Sequence, residues 1–350
     1  MSAGDHASRK RDHLALALGG DVGFATATTG LEGLRLRARA LPEADLADVD
    51  LSLSLWGRTV AAPLLLSCMT GGTGEAGPVN RALGAAAQHH GLPVGLGSGR
   101  VLLIDPLRRE GFDVREVAPD VPVLANLGAV QLAEVGVEGC ETLVEACAAD
   151  ALVLHLNAVQ EALQVGGDTT FAGLAERIAE TAAGLSVPVV VKEVGFGLAP
   201  EDVDLLLDAG VAGIDVAGAG GTNWARLEGQ RDARAGAVAA AFADWGWPTA
   251  AAVAHARAAL DRRGRGDVVL IASGGIADGV DAAKALCLGA RLAGVARGVL
   301  AAAAEGPAAA IDAVGILLEQ LRIAAWATGA TRLADLDGSR LEAVGPPAAR

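Results

Sequence analysis

Eight short apolar runs punctuate the chain, and each ends in small or polar residues. They occupy residues 63–70, 93–98, 121–126, 151–157, 188–192, 211–218, 268–274 and 292–297. Continuous apolar runs bounded by Gly and Pro suit strands buried on both faces of a parallel sheet. The Ala- and Leu-rich stretches between them are long enough for one crossover helix each. Eight such units predict an α/β fold, a (β/α)8 TIM barrel, whose strand C-termini gather at one mouth. Thr70, Ser98, Asn126, His155, Asn157, Lys192, Thr222, Ser273 and Arg297 then surround a single opening.

The flanks follow other patterns. One domain is expected over 1–350: an N-terminal extension or lid (1–60), the barrel (61–305), and a C-terminal helical segment and tail (306–350). Arg9 to Leu18 reads as helix. Leu34–Arg39 and Asp50–Leu55 alternate strictly, as half-exposed strands do, and are expected to pair across the barrel bottom. The C-terminal helix is expected over 306–336, with a frayed tail from Gly345. Asn223 to Ala250, after the sixth strand, exceeds an ordinary βα loop and holds Trp224, Arg226, Glu228, Arg231, Asp232, Arg234 and Trp245-Gly-Trp247-Pro248. Such length at the catalytic face suits a lid or substrate clamp, with a plain surface insertion as the alternative.

Composition narrows the function. Hydrophobic residues make up 52% of 350, yet aromatics only 3% with no Tyr, so the core must be Ala, Val and Leu. A net charge of −14 argues against nucleic-acid or anionic-membrane partners, which need a basic face. It leaves an anionic small substrate open, because local charge decides that. Cys68, Cys140, Cys147 and Cys287 form no Cys-x-x-Cys pair and read as reduced thiols of a cytoplasmic protein. Arg9-Lys10-Arg11 before Leu14–Leu18 resembles a secretory signal only superficially, since the apolar stretch is short and Asp12, His13 and Asp21 interrupt its context. No run is long enough to span a membrane.

Candidate chemistry sits at the strand ends. Ser273-Gly-Gly-Ile276 and Ala296-Arg297 end strands seven and eight, where barrels commonly bind phosphate. Gly274 and Gly275 free backbone N–H groups for a cradle, and Arg297 adds charge. Lys192 ends strand five. It can hold negative charge on a reduced flavin, form a Schiff base, or simply pair with Glu193. On strand four, His155 and Asn157 alternate inward, with Gln160 and Glu161 following. A carboxylate beside neutral amides suits Mg²⁺ shared with substrate phosphates. The Gly-rich turns Met69–Thr73 and Gly218–Trp224 admit a flat ring without being a dinucleotide fingerprint.

Taken together these motifs resemble the type 2, FMN-dependent isopentenyl-diphosphate delta-isomerases. The pieces are Arg9-Lys10-x-x-His13, Met69-Thr-Gly-Gly-Thr73, Gly97-Ser-x-Arg100, His155-Leu-Asn-x-x-Gln-Glu161, Val191-Lys-Glu-Val-Gly-Phe-Gly197, Asp215-Val-x-Gly-Ala-Gly-Gly-Thr222, and Ala272-Ser-Gly-Gly-Ile276 with Ala296-Arg297, in the family order. The resemblance implies interconversion of isopentenyl and dimethylallyl diphosphate, with reduced FMN, Mg²⁺ and NAD(P)H as reductant. It places Cys68, Met69, Thr70, Ser98, Asn126, Lys192, Thr222, Gly274, Gly275, Ile276, Ala296 and Arg297 against FMN. It places Arg9, Lys10, His13, Ser98, Gly99, Arg100, His155 and Gln160 against substrate, and Glu161 on Mg²⁺. Gln160, His155 and Lys192 are implied to be catalytic. A homo-oligomer, tetramer or octamer, is implied too. The chain departs from the family at Gly99, where Gln is frequent, at Ala158, where Pro is, at Ala217, where Ser is, and at Asn223, where Ser is usual.

Two rivals share the barrel. A 2-hydroxy-acid oxidoreductase needs a base, typically His after strand seven, but Ser273–Asp278 holds none. A non-catalytic flavin-binding relative would explain Gly99, but would need neither Gln160 nor Glu161.

Overall fold

The computed structural model describes residues 13, 15–69, 71, 76–231 and 233–344. All eight apolar runs form strands: β1 Leu64–Leu66, β2 Val94–Gly95, β3 Val123–Gly128, β4 Ala151–Leu156, β5 Val189–Glu193, β6 Gly213–Asp215, β7 Val269–Ala272 and β8 Leu292–Val295. Every neighbouring pair is parallel, and β8 pairs with β1 to close the barrel. Helices such as Ala76–His90, Leu132–Ala146 and Gly279–Cys287 pack outside. Their small faces, Ala82, Ala86 and Ala87 on the first of these, bury without aromatic bulk, as the composition required.

The short alternating strands do not pair with each other. Leu34–Leu36 pairs antiparallel with Leu341–Ala343. Leu53–Leu55 instead folds back on Arg58–Val60, Leu53 opposite Val60. The reason is local. Trp56 and Gly57 both take positive φ, 47° and 84°, which makes a two-residue hairpin turn, although Trp is an unusual residue for it. The hairpin still closes the bottom of the barrel: Leu53, Leu55 and Val60 form one apolar cluster with Leu65, Leu124, Val153, Val190, Val269 and Ile271. The C-terminal helix runs Pro307–Ala327 and ends before the expected residue 336. Gly329, at φ 78°, turns the chain back. No helix among the described residues is long and apolar enough to cross a membrane.

Helical residues at 13 and 15–19 lead to a segment that clips onto the long insertion. Arg226 donates to Asp21 Oδ2 at 2.8 Å and to the Gly23 carbonyl at 2.6 Å. Asn223 N donates to Val22 O at 2.7 Å. The insertion is itself helical at Trp224–Gly229 and Ala233–Ala239.

Candidate active site

A cavity of about 1030 Å³ opens at the C-terminal ends of the strands. Its floor comes from inward positions on the strands, and its walls from the loops that follow. Of the expected site residues, His13, Cys68, Met69, Ser98, Arg100, Asn126, His155, Gln160, Glu161, Lys192, Thr222, Gly274, Gly275, Ile276, Ala296 and Arg297 all line it. Arg9, Lys10 and Thr70 lie outside the described residues. Gly99 sits between two lining residues, Ser98 and Arg100, without lining the cavity itself. It stands behind the wall, its N–H donating to Asn126 O at 2.7 Å, and a Cβ there would sit 2.5 Å from Leu143 Cδ1. A larger residue at 99 would have to displace the Leu143 side chain.

The end expected to take a phosphate is a backbone cradle. Gly274 and Gly275 adopt φ of 100° and 73°, which L side chains rarely adopt. A Cβ on Gly221 would meet Gly275 N at 2.5 Å, so the turns after β6 and β7 touch backbone to backbone. Thr249 Oγ1 braces this turn by donating to Gly274 O at 2.5 Å. Arg297 begins the helix Arg297–Glu305, so its amide belongs to an exposed helix N-terminus suited to an anion. Its guanidinium donates to Gly20 O at 3.3 Å, which ties the N-terminal segment to the cradle.

On β4, His155 Nδ1 stands 2.9 Å from Asn126 Oδ1, and Asn126 also hydrogen-bonds Cys68. With the Asn oxygen turned to His155, Nδ1 donates the proton of that hydrogen bond. Burial pushes the Cys68 thiol up to about 12, so it is no nucleophile at neutral pH.

The helix Ala158–Leu163 carries the amide and carboxylate. Asn157 Nδ2 donates to Gln160 Oε1 at 3.2 Å and Glu161 Oε1 at 2.8 Å. Glu161 Oε2 accepts from Asp168 N at 2.8 Å. Asn157 Oδ1 is buried without a partner. No group of three His, Cys, Asp or Glu side chains that could hold a metal exists among the described residues. One oriented carboxylate fits Mg²⁺, which takes one or two protein oxygens and completes its shell with water and phosphate.

Glu228 does not itself line the cavity but braces two residues that do, Gln160 and His13, a role the sequence did not reveal. It is 2% exposed. Its Oε1 accepts from Gln160 Nε2 at 3.1 Å and lies 3.0 Å from His13 Nε2, while Arg231 reaches Oε2 at 3.3 Å. Burial opposes its charge, but His13, Gln160 and Arg231 together outweigh that and hold the carboxyl below its ordinary value. The insertion thus adjoins the site, lining the cavity at Trp224 and bracing Gln160 and His13 through Glu228. Only the motif-free spacing between Gln160 and residue 228 hid the link. Trp245 and Trp247 remain 55% and 42% exposed and take no part.

Lys192 makes no ion pair with Glu193. Its Nζ donates to the Glu193 carbonyl at 2.6 Å. The Glu193 carboxylate instead gathers the N–H groups of Gly195 and Phe196 at 2.6 and 2.5 Å. That leaves the ammonium at the cavity floor.

Comparison with known proteins agrees with this geometry. A family model described as FMN-dependent dehydrogenase matches residues 155–343. Isopentenyl-diphosphate delta-isomerase of Cronobacter sakazakii is 48% identical over 342 residues, covering 96% of this chain and 97% of the relative. That of Xanthobacter autotrophicus is 48% identical over 335 residues, 95% of each. That of a Nostoc species is 44% identical, covering 95% of this chain and 94% of the relative. Among solved structures, a flavocytochrome b2 variant with sulfite bound aligns with a TM-score of 0.67 at 20% identity, over 96% of this chain and 86% of that one. A mandelate oxidase variant with benzaldehyde aligns at 0.67 and 22% identity over 98% of each. These two likenesses show the barrel fold. Identity near one half along nearly the whole length says more: the chain belongs to the isopentenyl-diphosphate delta-isomerase family.

Proposed function

We propose that this chain interconverts isopentenyl and dimethylallyl diphosphate at the mouth of the barrel, with reduced FMN, Mg²⁺ and NAD(P)H as reductant. The observation that carries the reading is the Asn157–Gln160–Glu228 chain beside Glu161. It is a built amide and carboxylate array on the helix that follows β4 and on the insertion, where a hydroxy-acid oxidoreductase would instead need a base after β7. The chemistry moves one proton on to the alkene and takes another off two carbons away. Reduced FMN, when bound, supplies the acid–base group for that exchange.

The protein's residues do the rest. Gly274, Gly275 and the amide of Arg297 receive the cofactor phosphate. Lys192 holds its ammonium where negative charge on the ring would lie. Gln160 has both ends fixed, its oxygen by Asn157 and its nitrogen by Glu228, so its amide orients the alkene without rotating. It is too weak an acid or base to exchange the protons itself. Glu161 holds Mg²⁺ together with the substrate diphosphate. His155 and Arg100 meet the diphosphate, Arg100 giving up its 3.1 Å pair with Glu134. His13 brings the N-terminal segment, with Arg9 and Lys10, over the mouth as a lid. Family resemblance further supports a cytoplasmic homo-oligomer, tetramer or octamer.

The test is an anaerobic assay of the purified protein with FMN, Mg²⁺ and NAD(P)H, following isopentenyl diphosphate by NMR. Formation of dimethylallyl diphosphate is expected, and FMN rather than FAD should be released on denaturation. Failure of turnover with FMN bound and reduced would overturn the reading.

A further inference from the structure

Above its apolar plug the barrel wall turns polar, and one residue there has no task in the scheme above. Asp215 ends β6 at 1% exposure and lies beneath the cavity floor rather than in its lining. Its Oδ1 accepts from Ser273 Oγ at 2.6 Å and from Ala217 N at 3.2 Å. Its Oδ2 is buried and has no partner. Across the sheet its register partner is Lys192. Burial pushes the Asp215 carboxyl up, and the Lys192 charge pulls it back down.

To stay ionised, a carboxylate buried this deeply needs a cation close by, and Lys192, its register partner on the neighbouring strand, is one whose charge acts on it. The same carboxylate commits the single hydrogen of Ser273, so that hydroxyl shows the cavity only lone pairs. Gly294 keeps this corner open: a Cβ there would stand 2.6 Å from Ser67 Oγ and 2.7 Å from Ser273 Cβ.

We propose that Asp215 is a positioning residue of the cofactor floor, balancing the Lys192 ammonium and thereby setting how strongly the site prefers reduced over oxidised FMN. This rests on the FMN reading above. With Asp215 ionised, Lys192 presents a partly cancelled charge to the ring. With Asp215 neutralised, the full charge favours the reduced, electron-rich ring. One unit charge at about 10 Å in a protein is worth roughly tenfold in an equilibrium.

The experiment is an anaerobic spectroelectrochemical titration of the FMN-loaded full chain, wild type against Asp215→Asn. The variant should prefer reduced FMN by about tenfold more, a rise in midpoint potential of about 30 mV for a two-electron couple. In a Lys192→Met background the buried carboxyl loses its cation and takes up a proton, so Asp215→Asn should there change nothing. An unchanged or lowered potential in the single variant overturns the inference, as does the same rise without Lys192. Should Asp215→Asn not fold, Ser273→Ala serves instead. It removes a donor from the carboxylate, favours its protonation, and should raise the potential by a smaller step; no rise overturns the inference. Wild type that binds no FMN would sink the function proposed above, whereas FMN bound with an unmoved potential sinks only this inference.

Discussion

On six of the eight strands the two ends of the barrel interior differ by a step of two residues. At the bottom stand Leu65, Leu124, Val153, Val190, Gly213 and Ile271; two residues on stand Ser67, Asn126, His155, Lys192, Asp215 and Ser273. Strand geometry puts i and i+2 on one face, so the same strands that seal the plug raise the polar floor directly above it. The lower ring joins the hairpin cluster of Leu53, Leu55 and Val60. The upper ring carries orphan or paired polar atoms such as Ser67 Oγ and Asp215 Oδ2. Stability and chemistry are therefore layered along one axis, which is how a barrel can vary its chemistry without losing its core. Substitutions at the mouth should cost turnover and spare folding, and substitutions at the plug should do the reverse.

The sharpest test of the mouth is Glu161→Gln. The amide keeps its size but cannot share a divalent cation with a diphosphate. A fall in kcat/KM of about a thousandfold, roughly 4 kcal/mol, is expected, with FMN affinity and Tm unchanged. Steady-state rates across a Mg²⁺ titration check this, and wild-type Mg²⁺ dependence would show Glu161 to be only a structural helix carboxylate. At the opposite end, Leu55→Ala removes a side chain 1% exposed from the plug. Its cost is about 3 kcal/mol of stability, read from chemical denaturation, with KM for isopentenyl diphosphate unaltered. A large KM change there would break the layering.

A third prediction concerns the strap across the mouth. His13 contacts Glu228, and Arg297 holds Gly20. Deleting residues 1–13 should raise KM about thirtyfold, roughly 2 kcal/mol, while flavin stays bound. Wild-type kinetics after deletion would refute a closing segment.

The strands and their mouth were legible because apolar runs need no partner to declare themselves. Pro63-Leu-Leu-Leu, Pro188-Val-Val-Val and Val268-Val-Leu-Ile sit in β1, β5 and β7 within a residue or two of their observed bounds. His155, Lys192 and Ser273 followed from their place at strand ends. What stayed hidden depended on distant contacts. Glu228 stood in a recognised insertion, but nothing local says that its carboxylate meets Gln160 some seventy residues earlier. Asp215 was visible only as a letter in a motif, since its burial and its orphan oxygen arise from β5 and β7. The pairing of Leu34–Leu36 with Leu341–Ala343 joins the two flanks of the barrel, which no alternation pattern announces. The Trp56-Gly57 turn defeated reading for the opposite reason: it is local, but Trp is not a residue that favours positive φ.

The smallest expected effect lies beside Lys192 and separates its two faces. Glu193 points away from the barrel interior and ties down Gly195 and Phe196, where Phe196 packs edge-on against Phe24 at 6.1 Å. Burial raises its pKa from 4.5 to about 7, against the opposing pull of the Phe196 and Gly195 amides and of Lys192. A carboxyl whose folded pKa exceeds its unfolded value binds protons more readily in the native state. Its contribution to stability is complete below about 4.5 and is lost as pH rises to about 7. Wild-type Tm should thus fall by about 3 °C between pH 5 and pH 8 through this group. Glu193→Gln, which cannot titrate, should remove that slope while leaving Lys192 and the floor above it in place. Calorimetry of both proteins across the range decides it: equal slopes would mean that Glu193 stays ionised throughout, held by its amides despite burial.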